Sequence, residues 1–230
     1  MLHKIGIVGC GGIAQVHAAA LARLENTQLI ACADIRPERA QAMAEKYGCR
    51  AYASMEEMLE KESLDAVHLC TPHYLHTPMA QMAAEKGLAV FTEKPPVINR
   101  EQWAQLEEAA KKTPLGVCFQ NRYNPNVRAA ERIVASGEYG ALAGARAIVN
   151  WYRTAPYYTE SGWRGAWDTE GGGALINQAI HTLDLMVRFL GAPQRVEAHM
   201  ANHHLKNVIQ VEDTVEISGW VVRQEQVLPG

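Results

Sequence analysis

Long apolar runs, an excess of charge of one sign and paired cysteines are all missing from this sequence. No uninterrupted apolar stretch is long enough to cross a bilayer, and residues 1–8 lack the apolar core of a secretory signal. The formal net charge of -3 creates no basic field that would attract nucleic acid or an anionic membrane surface. We therefore expect a cytoplasmic protein that binds a small molecule, with neither nucleic acid nor membrane as a partner.

The cysteines show neither the spacing of a metal site nor that of a disulfide framework. There are five of them, and most lie in or beside apolar segments that are predicted as strands: Cys10, Cys32, Cys49, Cys70 and Cys118. This distribution favours buried, reduced thiols over disulfides or metal ligands. We expect no bound metal.

The first half of the chain alternates short apolar runs with segments of helical periodicity. The runs are continuous and rich in branched side chains, which predicts strands buried on both faces over residues 5–8, 29–33, 66–69, 88–91 and 115–119. The intervening segments predict helices over residues 13–24, 37–47, 55–61, 75–86 and 100–112. Pro37 suits a first helical turn, Asn99 can cap a helix, and Gly48 and Gly87 suit helix ends. Strict alternation of this kind predicts an α/β fold with a doubly wound parallel sheet.

The composition changes after about residue 121, where aromatic and glycine residues become frequent. This change predicts two domains, the first over residues 1–120 and the second, built differently, over residues 121–230. In the second domain we predict strands over residues 143–152, 196–202 and 214–222, and a helix over residues 173–189.

A glycine-rich motif follows the first predicted strand directly and opens a helix. Its small residues permit a tight turn and a close approach to a pyrophosphate, whose charge would face free N–H groups at the helix N-terminus. The predicted cofactor-binding residues of this motif are Gly9, Gly11, Gly12, Ile13 and Ala14. The alternative is a glycine turn that binds no ligand.

Asp34 ends the second predicted strand, where its carboxylate can accept hydrogen bonds from both hydroxyls of an adenine ribose. This position favours NAD over NADP. Arg36 lies close enough to receive a 2'-phosphate, so NADP stays open. The alternative role for Asp34 is to cap the next helix.

Two polar, turn-forming segments follow the fourth and fifth predicted strands, over residues 70–76 and 92–96. In an open parallel sheet ligands bind beyond the carboxyl ends of the strands. Lys94 is the stronger candidate, because an ammonium group can stabilise a developing alkoxide or pass on a proton. An ordinary surface lysine is the alternative.

The segment that begins with the glycines at 171–173 places four polar residues on one helical face: Asn177, His181, Asp184 and Arg188. His181 is the proposed acid/base, because imidazole exchanges protons near neutral pH. Asn177 can bind a substrate hydroxyl, and Asp184 can orient the imidazole or lock the helix to its neighbours. A solvated polar stripe is the alternative, and the glycine triplet, which permits the close approach of a backbone or a ligand, argues against it.

Taken together, these motifs resemble the glucose-fructose oxidoreductase, inositol dehydrogenase and MocA family. The matching elements run in order along nearly the whole chain, over residues 9–14, 71–76, 93–95, 121–125 and 171–184. The resemblance implies an N-terminal Rossmann domain and a C-terminal α+β domain with an open, mostly antiparallel sheet. That sheet commonly forms subunit contacts, which implies a homodimer or homotetramer. Family members usually have longer chains, so the second domain is expected to be truncated relative to the family.

The resemblance also assigns roles to individual residues. Lys94 and His181 match the catalytic lysine and histidine, and further cofactor contacts are implied for Thr71, Pro72, His76, Glu93 and Asn121. Implied substrate contacts are Tyr123, Arg153, Trp163, Arg164 and Asp184.

Three of these positions bear on the substrate. Many relatives carry aspartate at the position of Asn177, and asparagine there resembles members acting on nucleotide sugars. Arg153 and Arg164 can pair with a substrate carboxylate or phosphate, and surface ion pairing is an equal alternative.

The predicted function is an NAD(P)-dependent oxidoreductase that transfers a hydride between a nicotinamide cofactor and a CHOH carbon of a sugar, sugar nucleotide or polyol. One alternative is an NAD-dependent glycosidase of the same family, which oxidises and re-reduces its sugar. The other alternative is a non-catalytic NAD(H)-binding protein.

Overall fold

A computed structural model of the chain describes residues 1–221 and divides them into two compact units. The first unit comprises Met1–Cys118 with Asp168–Gly171, and the second comprises Phe119–Trp167 with the described residues from Gly172 onward. Among the helices of this described part, none is long and apolar enough to span a membrane.

A six-stranded parallel sheet forms the centre of the first unit, with the strand order β3-β2-β1-β4-β5-β6. The strands are β1 His3–Val8, β2 Thr27–Ala33, β3 Arg50–Tyr52, β4 Ala66–Leu69, β5 Ala89–Thr92 and β6 Leu115–Val117. From β1 the chain adds β2 and β3 on one side of the sheet, and it then returns to add β4, β5 and β6 on the other side of β1. Ligands of doubly wound sheets bind at the position between β1 and β4 where the strand order reverses in this way. The predicted α/β fold is confirmed.

Five helices connect these strands: α1 Gly12–Leu21, α2 Pro37–Tyr47, α3 Met55–Lys61, α4 His73–Glu85 and α5 Arg100–Lys112. Three of the five coincide with the predicted bounds, because their ends carry strong local signals. The Asn99 side chain accepts the backbone N–H of Gln102 at 2.8 Å, and Gly48 ends α2 with φ +70°.

The core of the first unit consists of two apolar clusters, and successive residues of a strand belong to different clusters. Ile7 packs with Ala14 and Met43 of the α1–α2 side, whereas Val8 packs with Met58 of α3 and the α4–α5 side. Burial on both faces explains the continuous apolar strands. It also makes the sheet a rigid support for the loops at its carboxyl edge.

The second unit combines helices with a two-stranded antiparallel sheet. A 3-10 helical turn at Gln120–Tyr123 precedes α6 Pro125–Ser136 and α7 Ala155–Thr159. A π-helical segment at Ala174–Ala179 leads directly into α8 Ile180–Leu190, and β7 Arg195–Ala201 pairs with β8 Thr214–Trp220. The second unit is therefore an α+β structure.

The strand predicted over residues 143–152 is wrong. These residues form no strand and are exposed except at Val149. Their branched and aromatic side chains suit a strand, but a strand also needs a hydrogen-bonding neighbour, and in the described range β7 and β8 pair only with each other. Val222, the last residue of the final predicted strand, lies outside the described residues.

Four elements were missed by the prediction: β3, the 3-10 turn at Gln120–Tyr123, α6 and α7. β3 has three residues, which is too short to show a periodicity.

The five cysteines are free thiols, and the pKa of Cys32 is raised to about 12 by a hydrogen bond with Cys10 and by burial.

Candidate active site

The three glycines of the motif after β1 have different structural roles. Gly9 has φ +84°, and a Cβ atom there would lie 2.7 Å from the carbonyl oxygen of Cys70. A Cβ atom at Gly11 or Gly12 would meet no atom within 4 Å. Gly9 is therefore needed for the turn itself, whereas Gly11 and Gly12 keep open space above the backbone.

The N-terminus of α1 faces this open space without a side-chain cap. The first N–H groups of a helix carry partial positive charge, and the helix dipole adds to it. Ala14 is completely buried beneath the turn, and Ile13 is 42% exposed beside it. Uncapped N–H groups under an open backbone fit a diphosphate, so the residues present suit a dinucleotide.

Asp34 ties the end of β2 to the glycine turn. Its Oδ2 accepts the backbone N–H of Cys10 at 2.7 Å, and its Oδ1 accepts the backbone N–H of Arg36 at 2.8 Å. Each oxygen keeps a lone pair that a ribose hydroxyl can use. The Arg36 side chain is exposed two residues away, so a 2'-phosphate would also meet a matching group.

His76 links the loops that follow β4 and β5. It is 1% exposed, and its ring nitrogens lie 2.9 Å from the Thr71 carbonyl oxygen and 2.7 Å from the Pro95 carbonyl oxygen. Burial lowers the pKa of His76, and the two carbonyl groups oppose this effect in part. The ring therefore acts as a brace between the loops, and its contact with a cofactor stays a prediction.

Thr71 and Pro72 occupy the loop that His76 braces. Pro72 immediately precedes α4. The Thr71 hydroxyl is buried and has no hydrogen-bond partner among residues 1–221. A buried hydroxyl without a partner costs free energy, which a polar ligand group or a water molecule would recover.

Glu93 positions the backbone of Lys94 at the end of β5. The Glu93 carboxylate is 8% exposed, lies 2.9 Å from His17 Nε2 and accepts the backbone N–H of Lys94 at 3.2 Å. Burial by itself would raise the pKa of Glu93, but hydrogen bonds, first from His17 and then from Cys118 and Lys94, hold it below its usual value. A carboxylate anion thus anchors the residue that sequence reasoning assigned to catalysis.

His17 and His68 were not predicted, although they extend this network. Their Nδ1 atoms lie 3.0 Å apart, and burial together with the nearby His17 lowers the pKa of His68 to about 4. His68 is therefore neutral at neutral pH, and a hydrogen-bonded chain runs from His68 through His17 to Glu93. The available sequence signal was a histidine one turn after Ala14 on the buried face of α1.

Glu212 holds the beginning of the π-helical segment in the second unit. Its Oε2 accepts the N–H of Gly173 at 2.9 Å, and its Oε1 accepts the N–H of Leu175 at 3.0 Å. A Cβ atom at Gly173 would collide with the backbone carbonyl of Glu212. The close approach expected at the glycine triplet is therefore to a protein backbone, and Glu212 supplies the negative charge at this helix end.

The π-helical segment replaces the regular α-helix that the spacing predicted. Asn177, Gln178 and His181 are all 7–8% exposed, so a solvated stripe does not describe these side chains. The rings of His181 and Phe119 form a T-shaped contact, with centroids 6.0 Å apart. Single turns of π-helix are frequent at functional sites because they redirect side chains.

Asp184 locks α8 to the 3-10 turn. It forms a bidentate ion pair with Arg122, whose pKa is raised by this hydrogen bond. Of the two roles considered for Asp184, the structure shows the locking one, and its contact with a substrate stays a prediction. Arg188, farther along the helix, pairs with Glu131.

Tyr157 is the centre of a polar cluster in the second unit. Its hydroxyl oxygen accepts hydrogen bonds from Asn177 Nδ2 at 3.3 Å and from Gln178 Nε2 at 3.2 Å. Gln178 Oε1 in turn accepts a hydrogen bond from Arg153 at 2.8 Å. Three predicted residues, Asn177, Arg153 and Arg164, thus contact Tyr157, and a fourth, Trp163, stacks on Arg164. Gln178 is a member of the cluster that sequence reasoning missed.

The 3-10 turn carries two further predicted residues outside this cluster. Asn121 lies inside the turn and belongs to the second unit, where its carbonyl oxygen accepts the N–H of Asn124 at 3.2 Å. Tyr123 is 70% exposed, and the Arg128 guanidinium stacks on its ring at 4.9 Å. Ligand contacts of both residues stay predictions.

The parallel sheet and the open glycine turn are typical of dinucleotide-binding proteins, and comparison with known families identifies the class. Residues 3–120 match the model of an oxidoreductase family with an NAD-binding Rossmann fold, and residues 127–219 match the GFO/IDH/MocA C-terminal domain. The chain belongs to the GFO/IDH/MocA oxidoreductase family. This result confirms the resemblance seen in the motifs.

Individual relatives include dehydrogenases of several sugars and polyols. The chain is 32% identical over 205 residues to D-glucoside 3-dehydrogenase of Escherichia coli, covering 85% of this chain and 57% of that protein. It is 30% identical over 195 residues to inositol 2-dehydrogenase of Rhizobium meliloti, covering 83% and 55%. The chain therefore spans little more than half the length of these relatives.

A solved structure with a similar fold is the WlbA dehydrogenase from Bordetella pertussis, which was crystallised with NADH and UDP-GlcNAcA. It matches with a TM-score of 0.90 and 31% identity, over 96% of this chain and 69% of that one.

Proposed function

We propose that this chain acts as an NAD(P)-dependent oxidoreductase that transfers a hydride between the nicotinamide and a CHOH carbon of a sugar, sugar nucleotide or polyol. The observation that carries the proposal is the glycine turn, where Gly11 and Gly12 leave open backbone above the uncapped N-terminus of α1. Asp34, hydrogen-bonded to the same turn, adds a ribose partner and favours NAD.

A bound nicotinamide dinucleotide supplies the hydride acceptor or donor. The chain supplies the groups that hold it and that manage the proton. The N–H groups at the start of α1 would bind the diphosphate, and Asp34 would accept hydrogen bonds from the ribose hydroxyls. The brace of His76 between two loops keeps the residues after β4 and β5 in fixed positions.

Oxidation of a carbinol releases one hydride from carbon and one proton from oxygen. In the proposed mechanism His181 takes the hydroxyl proton, and the Lys94 ammonium stabilises the negative charge that develops on that oxygen. Asn177 donates a hydrogen bond to the substrate hydroxyl. Reduction follows the same steps in reverse, with His181 returning the proton.

The names of the relatives support the substrate range. D-glucoside and inositol dehydrogenases act on CHOH groups, and the WlbA complex contains a sugar nucleotide. The asparagine at position 177, which resembles family members acting on nucleotide sugars, is consistent with a nucleotide sugar as the substrate.

The proposal extends to location and assembly. We expect a cytoplasmic protein that forms a homodimer or homotetramer through the sheet of β7 and β8. Several apolar side chains of this sheet are exposed, which supports a subunit contact: Val196 at 53%, Met200 at 57%, Ile217 at 39% and Trp220 at 47%.

The test is a screen of sugars, inositols and sugar nucleotides with NAD and with NADP, followed by the absorbance of the reduced cofactor. With an active substrate, Lys94→Ala and His181→Ala should reduce turnover by at least roughly 100-fold while the Kd of NADH changes little. Matched controls are Lys86→Ala, at the opposite end of β5, and His199→Ala, on exposed β7.

Three other outcomes would contradict the proposal. Unchanged turnover in either variant would remove that residue from the mechanism. Cleavage of a glycoside without net accumulation of reduced cofactor would indicate the glycosidase alternative. Binding of NADH without turnover of any substrate would indicate a non-catalytic binding protein.

A further inference from the structure

Two arginines of the second unit share one tyrosine ring. The Cζ atom of Arg153 lies 4.9 Å from the centroid of Tyr157, and the Cζ atom of Arg164 lies 4.4 Å from the same centroid. Each guanidinium also stacks on a tryptophan, Arg153 on Trp151 at 5.5 Å and Arg164 on Trp163 at 4.5 Å. Aromatic faces therefore fix two positive charges close to each other.

The positive charge of this pair is not neutralised within the described chain. Neither arginine takes part in an ion pair with a carboxylate of residues 1–221, so the surface ion pairing considered from the sequence is absent there. The Nε atoms of both are inaccessible to solvent and have no hydrogen-bond partner in this range. Buried donors of a charged group that lack an acceptor are costly.

The other half-buried arginines of the same unit provide the contrast. Arg122 meets Asp184, and Arg128 meets Glu131, so each has a carboxylate partner. Arg153 has one neutral partner, the Gln178 amide oxygen. Unlike those two arginines, Arg153 and Arg164 therefore have no carboxylate partner among residues 1–221.

The neighbours of the pair connect it to the proposed reaction. Tyr157, the shared ring, accepts hydrogen bonds from Asn177 and Gln178 on the π-helical segment. Asn177 is assigned to the substrate hydroxyl in the proposed mechanism. A substrate held by Asn177 would thus place a second group beside the arginines of the same unit.

We propose that Arg153 and Arg164, held by the ring of Tyr157, form a clamp for an oxyanion of the substrate, so that this enzyme acts on an acidic sugar rather than a neutral one. The inference rests on the proposed function. A carboxylate and a phosphate offer the planar or tripodal oxygen set that guanidinium groups bind with paired hydrogen bonds. The Gln178 amide orients Arg153 and leaves its remaining donors for the ligand.

Isothermal titration of the full chain in the presence of NADH tests the clamp with three probes that differ in one substituent: glucose, glucuronate and glucose 6-phosphate. The clamp predicts that at least one charged sugar binds roughly 10- to 100-fold more tightly than glucose, the effect of one or two charge-assisted hydrogen bonds. Preference for glucuronate identifies a carboxylate as the natural group, and preference for glucose 6-phosphate identifies a phosphate.

Arg153→Met and Arg164→Met keep the apolar stem and should each remove this preference. Arg164→Lys keeps the charge without the fork and should retain part of it, which separates the clamp from a loss of folding. The control is Arg195→Met, because Arg195 also stacks on an aromatic ring, at 4.9 Å from Trp220, but is paired with Glu197. This variant should keep the preference of the unmodified chain.

Equal binding of all three sugars, no measurable binding of either charged sugar, or a preference that survives in both methionine variants would overturn the clamp. The proposed function fails separately. Anion-dependent binding that is lost in the variants, without any hydride transfer, would retain the clamp and reject the dehydrogenase. Hydride transfer without any preference for a charged sugar would retain the dehydrogenase and reject the clamp.

Discussion

Alanine substitution at Gly9 should lower stability, whereas alanine at Gly11 should weaken cofactor binding, although both glycines belong to one motif. At Gly9 a Cβ atom would require φ +84° and would lie 2.7 Å from the Cys70 carbonyl oxygen. The left-handed conformation costs about 1–2 kcal/mol, and displacement of the adjacent backbone adds to it, so we expect Gly9→Ala to lower the free energy of unfolding by about 2–4 kcal/mol. At Gly11 the added methyl group meets no atom, and stability should change by less than about 1 kcal/mol.

The effect of Gly11→Ala should instead appear in cofactor binding. Its methyl group would occupy the space through which a diphosphate approaches the backbone. Loss of one hydrogen bond to a charged group is worth about 1.5–3 kcal/mol. The Kd of NADH should therefore rise roughly 10- to 100-fold.

Urea unfolding of the two variants measures the free energy of unfolding, and titration calorimetry with NADH measures the Kd. Gly137→Ala is a suitable control for a left-handed glycine, because it has φ +69° at the end of α6 with no atom near its Cβ position. It should lose about 1 kcal/mol of stability without any change in NADH affinity. Unchanged NADH affinity in Gly11→Ala, or full stability in Gly9→Ala, would refute the division of roles within the motif.

Two further predictions concern the networks that support the proposed site. The pKa of His68 is lowered from 6.5 to about 4 in the folded chain, so as the pH falls the unfolded chain takes up a proton at His68 before the folded chain does. The stability that is present above pH 6.5 is therefore lost progressively towards pH 4. Between pH 7 and pH 5 the loss assigned to His68 is about 2 kcal/mol, and urea unfolding of His68→Leu should show a flatter pH dependence; an equal slope in both proteins would disprove it. Glu212→Gln should lower the free energy of unfolding by about 1–3 kcal/mol, because an amide accepts the N–H groups of Gly173 and Leu175 less well than a carboxylate, whereas Glu216→Gln on exposed β8 should be neutral. Equal stability of these two variants in thermal unfolding would contradict the capping role of Glu212.

Local signals explain which elements could be predicted. The helices at Pro37–Tyr47, Met55–Lys61 and Arg100–Lys112 were predicted to the residue, because capping residues and apolar spacing lie within each segment. The strand predicted over residues 143–152 failed because a strand depends on a neighbour that the segment itself does not contain. The π-helical turn before His181 also escaped prediction, because its backbone hydrogen bonds span five residues instead of four and the apolar spacing of the segment does not reveal this.

The same distinction applies to the candidate site. Gly9, Asp34 and Lys94 could be recognised because each follows a strand, and the carboxyl ends of parallel strands share one edge. The hydrogen bond between His17 and Glu93 joins residues 76 positions apart, and that between Gly173 and Glu212 joins residues 39 positions apart. No local pattern specifies such partners.

The sequence by itself determined the α/β alternation, the dinucleotide motif and the polar residues at the strand ends, because these depend on propensity and spacing within short segments. Only the tertiary structure decided which of the polar residues are satisfied by one another. It pairs Asp184 with Arg122, commits Glu212 to a helix end, and leaves Arg153 and Arg164 on Tyr157 without a carboxylate in the described residues. The physical reason is that packing between distant segments decides whether a charged side chain has an oppositely charged partner.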